Sequence, residues 1–486
     1  MDRATPIDAL APYIINAAKG LLRASNAAYL CVNCSKLILV SLGTRRWSSS
    51  ITQDMLCVLS IWFRFSRVEN LISTLEQCLL HVHGDTWLGV LPQLIARIDH
   101  PEPSARKLLH GLLSRLGTKH AQVLVYPLSV ALKSPIEERQ SVAENLMNSL
   151  RQHAPALIDQ FLTVSNELVR VAILWAEEWH ECLEEASRQY YGEGNVKAML
   201  ETLLPMHRTL NNGPTTMREA SFVQAYGADL QEAHELLLKY QHYMEVANRP
   251  IPTSGAMPSS KKKKNPTDPS ETCLAQAWVL YYAVFKRINQ QLPTITSLEL
   301  QYCSPALHTL QDIDLCVPGT YSVHENAGVR IRSFGQVVNV IRSKQRPRKI
   351  KILGEDGLEY VFLLKGHEDL RQDERAMQLF GLVNALLYHD KRTENLDLSI
   401  RRYAVLPLSP SAGLISWVHN CDTMHDNIRD HRDSRKIMLN VEHKLMQQLA
   451  PQALYDSLTM IQKLEVFESA MANTSGDDLA KILWLR

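Results

Sequence analysis

The stretch LEYVFLLKGHEDLRQDER (residues 358–375) joins an apolar, strand-forming segment to a charged helix start, with a lysine at the junction. A lone charge that closes an apolar strand costs free energy unless a partner neutralises it. Asp369 is placed to cap the following helix, while Glu368 and Asp373 are placed to approach the Lys365 ammonium. A surface cap with helical ion pairs explains Asp369 but not the lysine. The stretch therefore predicts a strand and a helix arranged around an anion-binding lysine.

The segments around this unit predict a small antiparallel sheet followed by helices, which is an α+β plan. Short β-branched runs predict strands at 336–342, 349–353, 358–365, 401–408 and 413–418. Helices are predicted at 369–387, 436–450, 459–473 and from 477 onward.

The turn SKQRPR (residues 343–348) lies between the first two of these strands. It presents a hydroxyl, backbone amides and cations, which are the groups that bind a polyanion such as a triphosphate. It lacks a glycine-rich signature, so an exposed basic hairpin is the alternative interpretation.

The chain before residue 292 is predicted to be helical. Short apolar runs broken by Gly or Pro over residues 51–170 indicate paired helices, as in an α-solenoid, although residues 27–50 fit this pattern poorly. Residues 164–291 predict a four-helix bundle. Its loop 249–270 is rich in Pro, Ser and Lys and is predicted to be disordered. We interpret the lysine run 261–264 as a solvated linker, with nuclear import or anionic-lipid contact as alternatives.

Composition gives no sign of nucleic acid or membrane as the main partner, since 52 basic residues balance 51 acidic ones for a net charge of +1. The start shows no secretory signal, and the most apolar run, 27–42, is shorter than a membrane span and contains Lys36. Nine scattered cysteines indicate reduced thiols in an intracellular compartment. Cys31 and Cys34 have no second ligand pair, so no metal site is expected.

Residues 362–374 closely resemble the lysine strand and following helix of the phosphatidylinositol-3-kinase-related protein kinases, and residues 343–349 resemble their phosphate loop. Both are most similar to the target-of-rapamycin (TOR) branch. Residues 173–188 and 276–285 resemble the rapamycin-binding FRB bundle of that branch, and residues 85–99 resemble the end of its FAT solenoid. The resemblance implies four regions: the end of FAT (1–163), an FRB-like bundle (164–291), a kinase N-lobe (292–418) and part of a helical C-lobe (419–486).

The resemblance also implies an ATP site with Mg²⁺. The residues it assigns are Lys365 for the phosphates, Glu368, Asp373 and Tyr403 for the inner pocket, Ser343 and Pro347 for the phosphate loop, Ile341 and Leu363 for the adenine walls, Trp417 and Val418 for the hinge, and Thr423 for the lip.

In the bundle, two sets of three residues each share one helical face: Leu183, Ser187 and Tyr191, and Trp278, Tyr282 and Phe285. The resemblance assigns them to a surface that binds a rapamycin–immunophilin complex and recruits protein substrates, whereas plain core packing is the alternative. Residues 429–473 resemble a C-lobe insertion that docks a WD40-propeller subunit.

Phosphoryl transfer also requires a catalytic Asp, a metal-binding Asn and an Asp-Phe-Gly element. The triplet His431-Arg432-Asp433 resembles a catalytic-loop motif with its Asp. However, Met438 occupies the position where the metal-binding Asn is required, and no Asp-Phe-Gly follows. We therefore expect the catalytic loop and the Mg²⁺ ligands to lie beyond Arg486, and the chain alone to be inactive. The resemblance implies a TOR-type serine/threonine kinase of the cytoplasm, with endomembranes and the nucleus as further locations. A phosphoinositide kinase and a kinase-dead binding protein are the alternatives.

Overall fold

The computed structural model describes residues 6–36, 44–247, 251, 253, 269–322, 327–451 and 455–485. The chain forms two compact units, Met1–Trp417 and Val418–Arg486. Most of the predicted loop 249–270 and residues 37–43 of the atypical segment 27–50 lie outside the described residues, as do the side chains of Cys31 and Cys34. Each unit is considered by itself below.

The first unit begins with a stack of helices whose apolar faces form a common core. The helices are α1 (Pro6–Lys36), α2 (Thr44–Arg64), α3 (Glu69–His81), α4 (Leu91–Ile95), α5 (Pro103–Leu132), α6 (Glu137–His153) and α7 (Pro155–Ala172), with a 3₁₀ segment at Gly84–Val90. Trp62 and Trp87 meet edge to face in the core, with ring centroids 6.4 Å apart. Proline at the start of α5 and α7 suits the first helical turn, where a backbone N–H is not needed.

A four-helix bundle with its own core follows. It comprises α8 (Trp175–Ser187), which ends in a π-helical turn (Arg188–Gly192), α9 (Val196–Asn211), α10 (Met217–Val246) and α11 (Pro269–Gln291). Thr216 and Glu219 form a capping box at the start of α10. The bundle is expected from residue 164, but residues 164–172 belong to α7 and pack in the solenoid core. The bundle core therefore starts in α8.

A seven-stranded antiparallel sheet completes the first unit. Its strands are β1 (Ser297–Glu299), β2 (Ile331–Phe334), β3 (Val337–Val340), β4 (Arg348–Gly354), β5 (Glu359–Gly366), β6 (Val405–Ser409) and β7 (Ala412–Ser416), with helices α12 (Leu300–Cys303), α13 (Pro305–Thr309) and α14 (Arg371–His389). The order is β1-β3-β4-β5-β7-β6, and β2 also pairs with β4. Strands β1 and β2 were not predicted; β3 to β7 and α14 confirm the α+β plan.

The two faces of the sheet have different surroundings. Phe362 and Leu364 on β5 are buried in the same core as the solenoid helices. Leu363 and Lys365 alternate with them and are only partly buried. The solenoid thus covers one face of the sheet, and the lysine is on the other.

The second unit is helical, with α15 (Met424–Ser434), α16 (Val441–Leu449), α17 (Met460–Ala472) and α18 (Asp478–Leu485). Helix α15 was not predicted. Arg432 donates to Asp478 at 2.7 Å and to Glu442 at 2.9 Å, so the arginine of the His-Arg-Asp triplet links three helices. Across the described part of both units, no helix is long and apolar enough to cross a membrane.

Candidate nucleotide-binding site

Lys365, at the end of β5, forms an ion pair with Glu368. The two side chains are 25% and 33% exposed, so the pair is partly shielded from water. Asp369 was expected to cap α14, but Leu370 occupies the N-cap position without a side-chain hydrogen bond; Asp369 lies one residue earlier and accepts a hydrogen bond from the Arg371 backbone N–H at 3.0 Å. Asp373 is exposed in the first turn of α14, and among the described residues the ion pair of Lys365 is with Glu368 alone.

The face that carries Lys365 also carries the predicted adenine wall. Leu363 lies between Lys349 and Ile415 in the register of β4, β5 and β7. Ile341 directly follows β3, and its N–H donates to the Pro347 carbonyl at 2.9 Å, which closes the base of the predicted phosphate loop. An apolar strip next to a cation is therefore present on one face of the sheet.

Two cations of the loop do not point to solvent, which corrects the expectation that its arginines bind a polyanion. Arg346 donates from Nε to Glu177 at 2.9 Å, and Arg348, which is 1% exposed, pairs with the same carboxylate. Ser343 and Lys344 are exposed at the tip and remain accessible to a ligand, whereas Pro347 is buried. Arg346 and Arg348 point inward because the carboxylate of Glu177, which is 2% exposed, requires positive charges to neutralise it.

Glu177 is a residue that the sequence analysis did not find. Burial raises its pKa, but the charge of Arg348 and the hydrogen bonds from Arg346, Leu174 and Arg348 outweigh burial, so the pKa lies below its ordinary value. It lies 169 residues before Arg346, and no local pattern joins the two. Only the tertiary structure reveals this contact.

The predicted hinge residues fall at the division between the two units. Trp417 ends the first unit, where its N–H donates to the Val361 carbonyl at 2.9 Å and its ring lies 4.1 Å from the Lys349 ammonium. Val418 begins the second unit. Thr423 belongs to that unit, where its hydroxyl accepts from the Asp426 N–H at 3.0 Å and caps α15.

The remaining inner-pocket residue, Tyr403, is 36% exposed just before β6. A cavity of about 970 Å³ lies elsewhere, between solenoid helices α4 and α5, segment 316–321 and β6. It includes none of the residues assigned to nucleotide binding. We therefore place the candidate site by the lysine and not by this cavity.

The predicted bundle surface has an exposed rim and a buried floor. Tyr191 and Tyr282 are 50% and 59% exposed, while Ser187 and Phe285 are half-buried. Trp278 is buried, and its ring lies 5.3 Å from that of Tyr190 and 5.4 Å from that of Tyr191. The sixth residue, Leu183, is part of the bundle core.

Replacing Glu178 with glutamine is expected to stabilise the chain above pH 7. Burial, together with the charges of Glu177, Glu219 and Glu181, raises the pKa of Glu178 to about 7. The Glu178 carboxyl ionises at a lower pH in the unfolded chain than in the folded one. The folded chain therefore loses stability progressively as the pH rises from the unfolded pKa of Glu178 to about 7. The variant should gain about 1–2 kcal/mol at pH 8 and little at pH 4, as measured by denaturant unfolding. An equal gain at both pH values would contradict this assignment.

Three protein-family models match consecutive parts of the chain that carries this solenoid, four-helix bundle and sheet. The family model for the FKBP12-rapamycin binding domain matches residues 167–290. The model for phosphatidylinositol 3- and 4-kinase matches residues 359–486, and that for ATR-like HEAT repeats matches residues 70–168.

Relatives across plants and fungi resemble nearly the whole chain. The serine/threonine-protein kinase TOR of Oryza sativa subsp. japonica is 49% identical over 434 residues, which cover 89% of this chain and 16% of the relative. TOR of Arabidopsis thaliana is 49% identical over 438 residues, again covering 89% and 16%. TOR2 of Saccharomyces cerevisiae is 45% identical, covering 90% and 17%. Over about nine tenths of its length the chain is thus similar to the serine/threonine-protein kinases of the TOR family, and it spans about one sixth of the length of these relatives.

The open conformation of CtTel1 shares the fold over 88% of this chain and 13% of that structure, with a TM-score of 0.50 and 16% sequence identity. At this identity, the likeness concerns the fold alone.

Proposed function

We propose that this chain supplies the ATP-binding lobe of a serine/threonine protein kinase that controls growth in response to nutrients. The observation that carries the proposal is the Lys365–Glu368 ion pair on the open face of the sheet, next to the apolar strip of Leu363 and Ile341. A lysine held by a carboxylate is the arrangement that kinases use for the nucleotide phosphates. Transfer of the phosphoryl group is proposed for the whole protein.

The residues fit a nucleotide in this role. Lys365 would hold the phosphates, helped by the Ser343 hydroxyl and the backbone of its loop, while Leu363 and Ile341 would contact adenine. ATP would supply the phosphoryl group, and Mg²⁺ is proposed as its companion. Glu368 pairs with the Lys365 ammonium, and the apolar neighbours would exclude water from one side of the base.

Replacing Lys365 with methionine is expected to lower the affinity of the full chain for a fluorescent ATP analogue by about tenfold or more, since one charge-assisted contact to phosphate is lost. Lys351→Met is the matched control, because Lys351 is an exposed lysine on the adjacent strand that pairs with Glu359 at 2.8 Å. Fluorescence titration measures both. Unchanged binding in Lys365→Met would refute the proposed site.

The bundle is proposed to bind a rapamycin–immunophilin complex and to recruit protein substrates. The match to the FKBP12-rapamycin binding domain supports this, as does the exposed aromatic rim above Trp278. An FRB-like bundle also argues against a phosphoinositide kinase.

Tyr282→Ala is expected to weaken binding of the rapamycin–immunophilin complex by about tenfold, because an exposed aromatic anchor is removed. Tyr243→Ala removes an exposed tyrosine from α10 and serves as the control. Biosensor titration on the full chain gives both values. Equal affinities for the two variants would place the binding surface elsewhere.

Helix α17 of the second unit is proposed to help dock a WD40-propeller subunit on residues 429–473. This helix exposes four apolar side chains: Met460 (83%), Ile461 (71%), Leu464 (53%) and Phe467 (49%).

We further propose a cytoplasmic location, with endomembranes and the nucleus as alternatives.

A further inference from the structure

The two halves of the candidate nucleotide site are attached to one helix of the bundle. The phosphate loop is attached through Glu177, which sits in the first turn of α8 and receives Arg346 and Arg348. Arg348 also donates to the Val171 carbonyl at 3.2 Å and to the Arg346 carbonyl. The described side-chain hydrogen bonds of Arg346 and Arg348 therefore end on α8, on the end of α7 or on the loop itself.

The lysine turn is attached to the same helix one turn later. His367, which lies between Lys365 and Glu368, places its Nδ1 2.6 Å from the Glu181 carboxylate. His367 has a φ of +61°, so its backbone is in the left-handed region that non-glycine residues rarely adopt. A β-carbon added to Gly366 would lie 2.6 Å from the Ala172 carbonyl oxygen, so the turn also packs closely against the junction of α7 and α8.

Glu177 and Glu181 are four residues apart and lie on one face of α8, so a single rigid element contacts both the loop and the turn. We propose that these two carboxylates are positioning residues that set the spacing between the phosphate loop and Lys365. The inference rests on the proposed ATP-binding function. Neither carboxylate touches the nucleotide; each acts through Arg346, Arg348 or His367.

Stability alone does not account for both contacts. A buried ion pair such as Glu177–Arg348 contributes little net stability compared with apolar residues of similar size. The Glu181 side chain is 49% exposed, and a polar contact that is open to water in this way contributes little net stability. The phosphate loop and the lysine turn must bind the same ligand, so their relative position matters. This requirement explains why both contact carboxylates on one face of α8.

The test uses the full chain with three variants: Glu177→Gln, Glu181→Gln and the control Glu184→Gln, which changes an exposed carboxylate on the same helix. Affinities for ATP and for adenosine are measured by calorimetry. We expect ATP affinity to fall about fivefold in each of the first two variants and adenosine affinity to stay unchanged, because only phosphate placement is disturbed. The control should match the unmodified chain for both ligands. A parallel loss of ATP and adenosine affinity, or no loss at all, would overturn the inference.

A nucleotide-free measurement separates this inference from the proposed function. Hydrogen exchange of residues 341–348 is expected to accelerate in Glu177→Gln, and that of residues 366–368 in Glu181→Gln, with the melting temperature of Glu181→Gln unchanged. Unaltered exchange in both variants overturns the positioning role, whether or not ATP binds. Failure of the unmodified chain to bind ATP, together with accelerated exchange in the variants, refutes the proposed function but keeps the structural role of α8.

Discussion

Replacing Arg348 with leucine is expected to destabilise the first unit by about 3–5 kcal/mol, because a buried carboxylate loses its principal partner. Arg348 is 1% exposed and Glu177 2% exposed, so water cannot substitute for the guanidinium. The lost hydrogen bond to the Val171 carbonyl adds to the effect. Urea unfolding followed by tryptophan fluorescence measures the change in the free energy of unfolding.

The double variant Glu177→Leu with Arg348→Leu is the decisive comparison for this prediction. Removing both charges leaves neither one unpaired, and apolar replacement of a buried pair is often neutral. We therefore expect the double variant to recover most of the lost stability, to within about 1–2 kcal/mol of the unmodified chain. A double variant as unstable as Arg348→Leu alone would show that the loss comes from packing rather than from charge.

Trp179→Ala is expected to destabilise the four-helix bundle by about 3–5 kcal/mol, through lost apolar burial and the cavity left behind. Trp179 is 1% exposed in the bundle core, and its ring meets that of His207 edge to face at 5.0 Å. Burial lowers the pKa of His207 to about 3, so this histidine stays neutral at physiological pH. The partner of Trp179 in the core is thus an uncharged aromatic ring.

Hydrogen exchange of α8 to α11 and thermal unfolding monitor the effect of Trp179→Ala. Tyr243→Ala, which removes a tyrosine that is 43% exposed, provides the surface control and is expected to change stability by about 0.5 kcal/mol or less. A loss in Trp179→Ala close to that of the control would mean that the bundle closes around the vacated space.

Local sequence patterns predicted the elements that carry the candidate site. The apolar run ending at Lys365, with acidic residues directly after it, predicted β5 and α14, and the structure confirms both. The spacing of apolar residues predicted the four bundle helices. Strands β1 and β2 escaped prediction because β1 has only three residues, and β2, with the sequence IRSF, carries a charged and a polar residue at its centre instead of a β-branched run.

The partners of charged residues were predicted less well than the elements. Glu368 was expected near Lys365 because it lies three residues away, and it is there. Arg346 and Arg348 were expected to face a ligand, but they meet Glu177 on a distant helix. A basic turn read by itself has the same pattern whether its cations face solvent or a buried carboxylate.

The sequence by itself determined the solenoid, the bundle, the lysine strand and its helix, and the resemblance to the TOR branch. These features depend on periodicity and short motifs, which involve residues close together in the chain. Only the tertiary structure decided that α8 contacts both the predicted phosphate loop (343–348) and the turn after Lys365, through contacts such as Arg346–Glu177 that span 169 residues. Periodicity specifies which face of an element is buried, but the choice of a remote partner for a charge depends on how the elements pack.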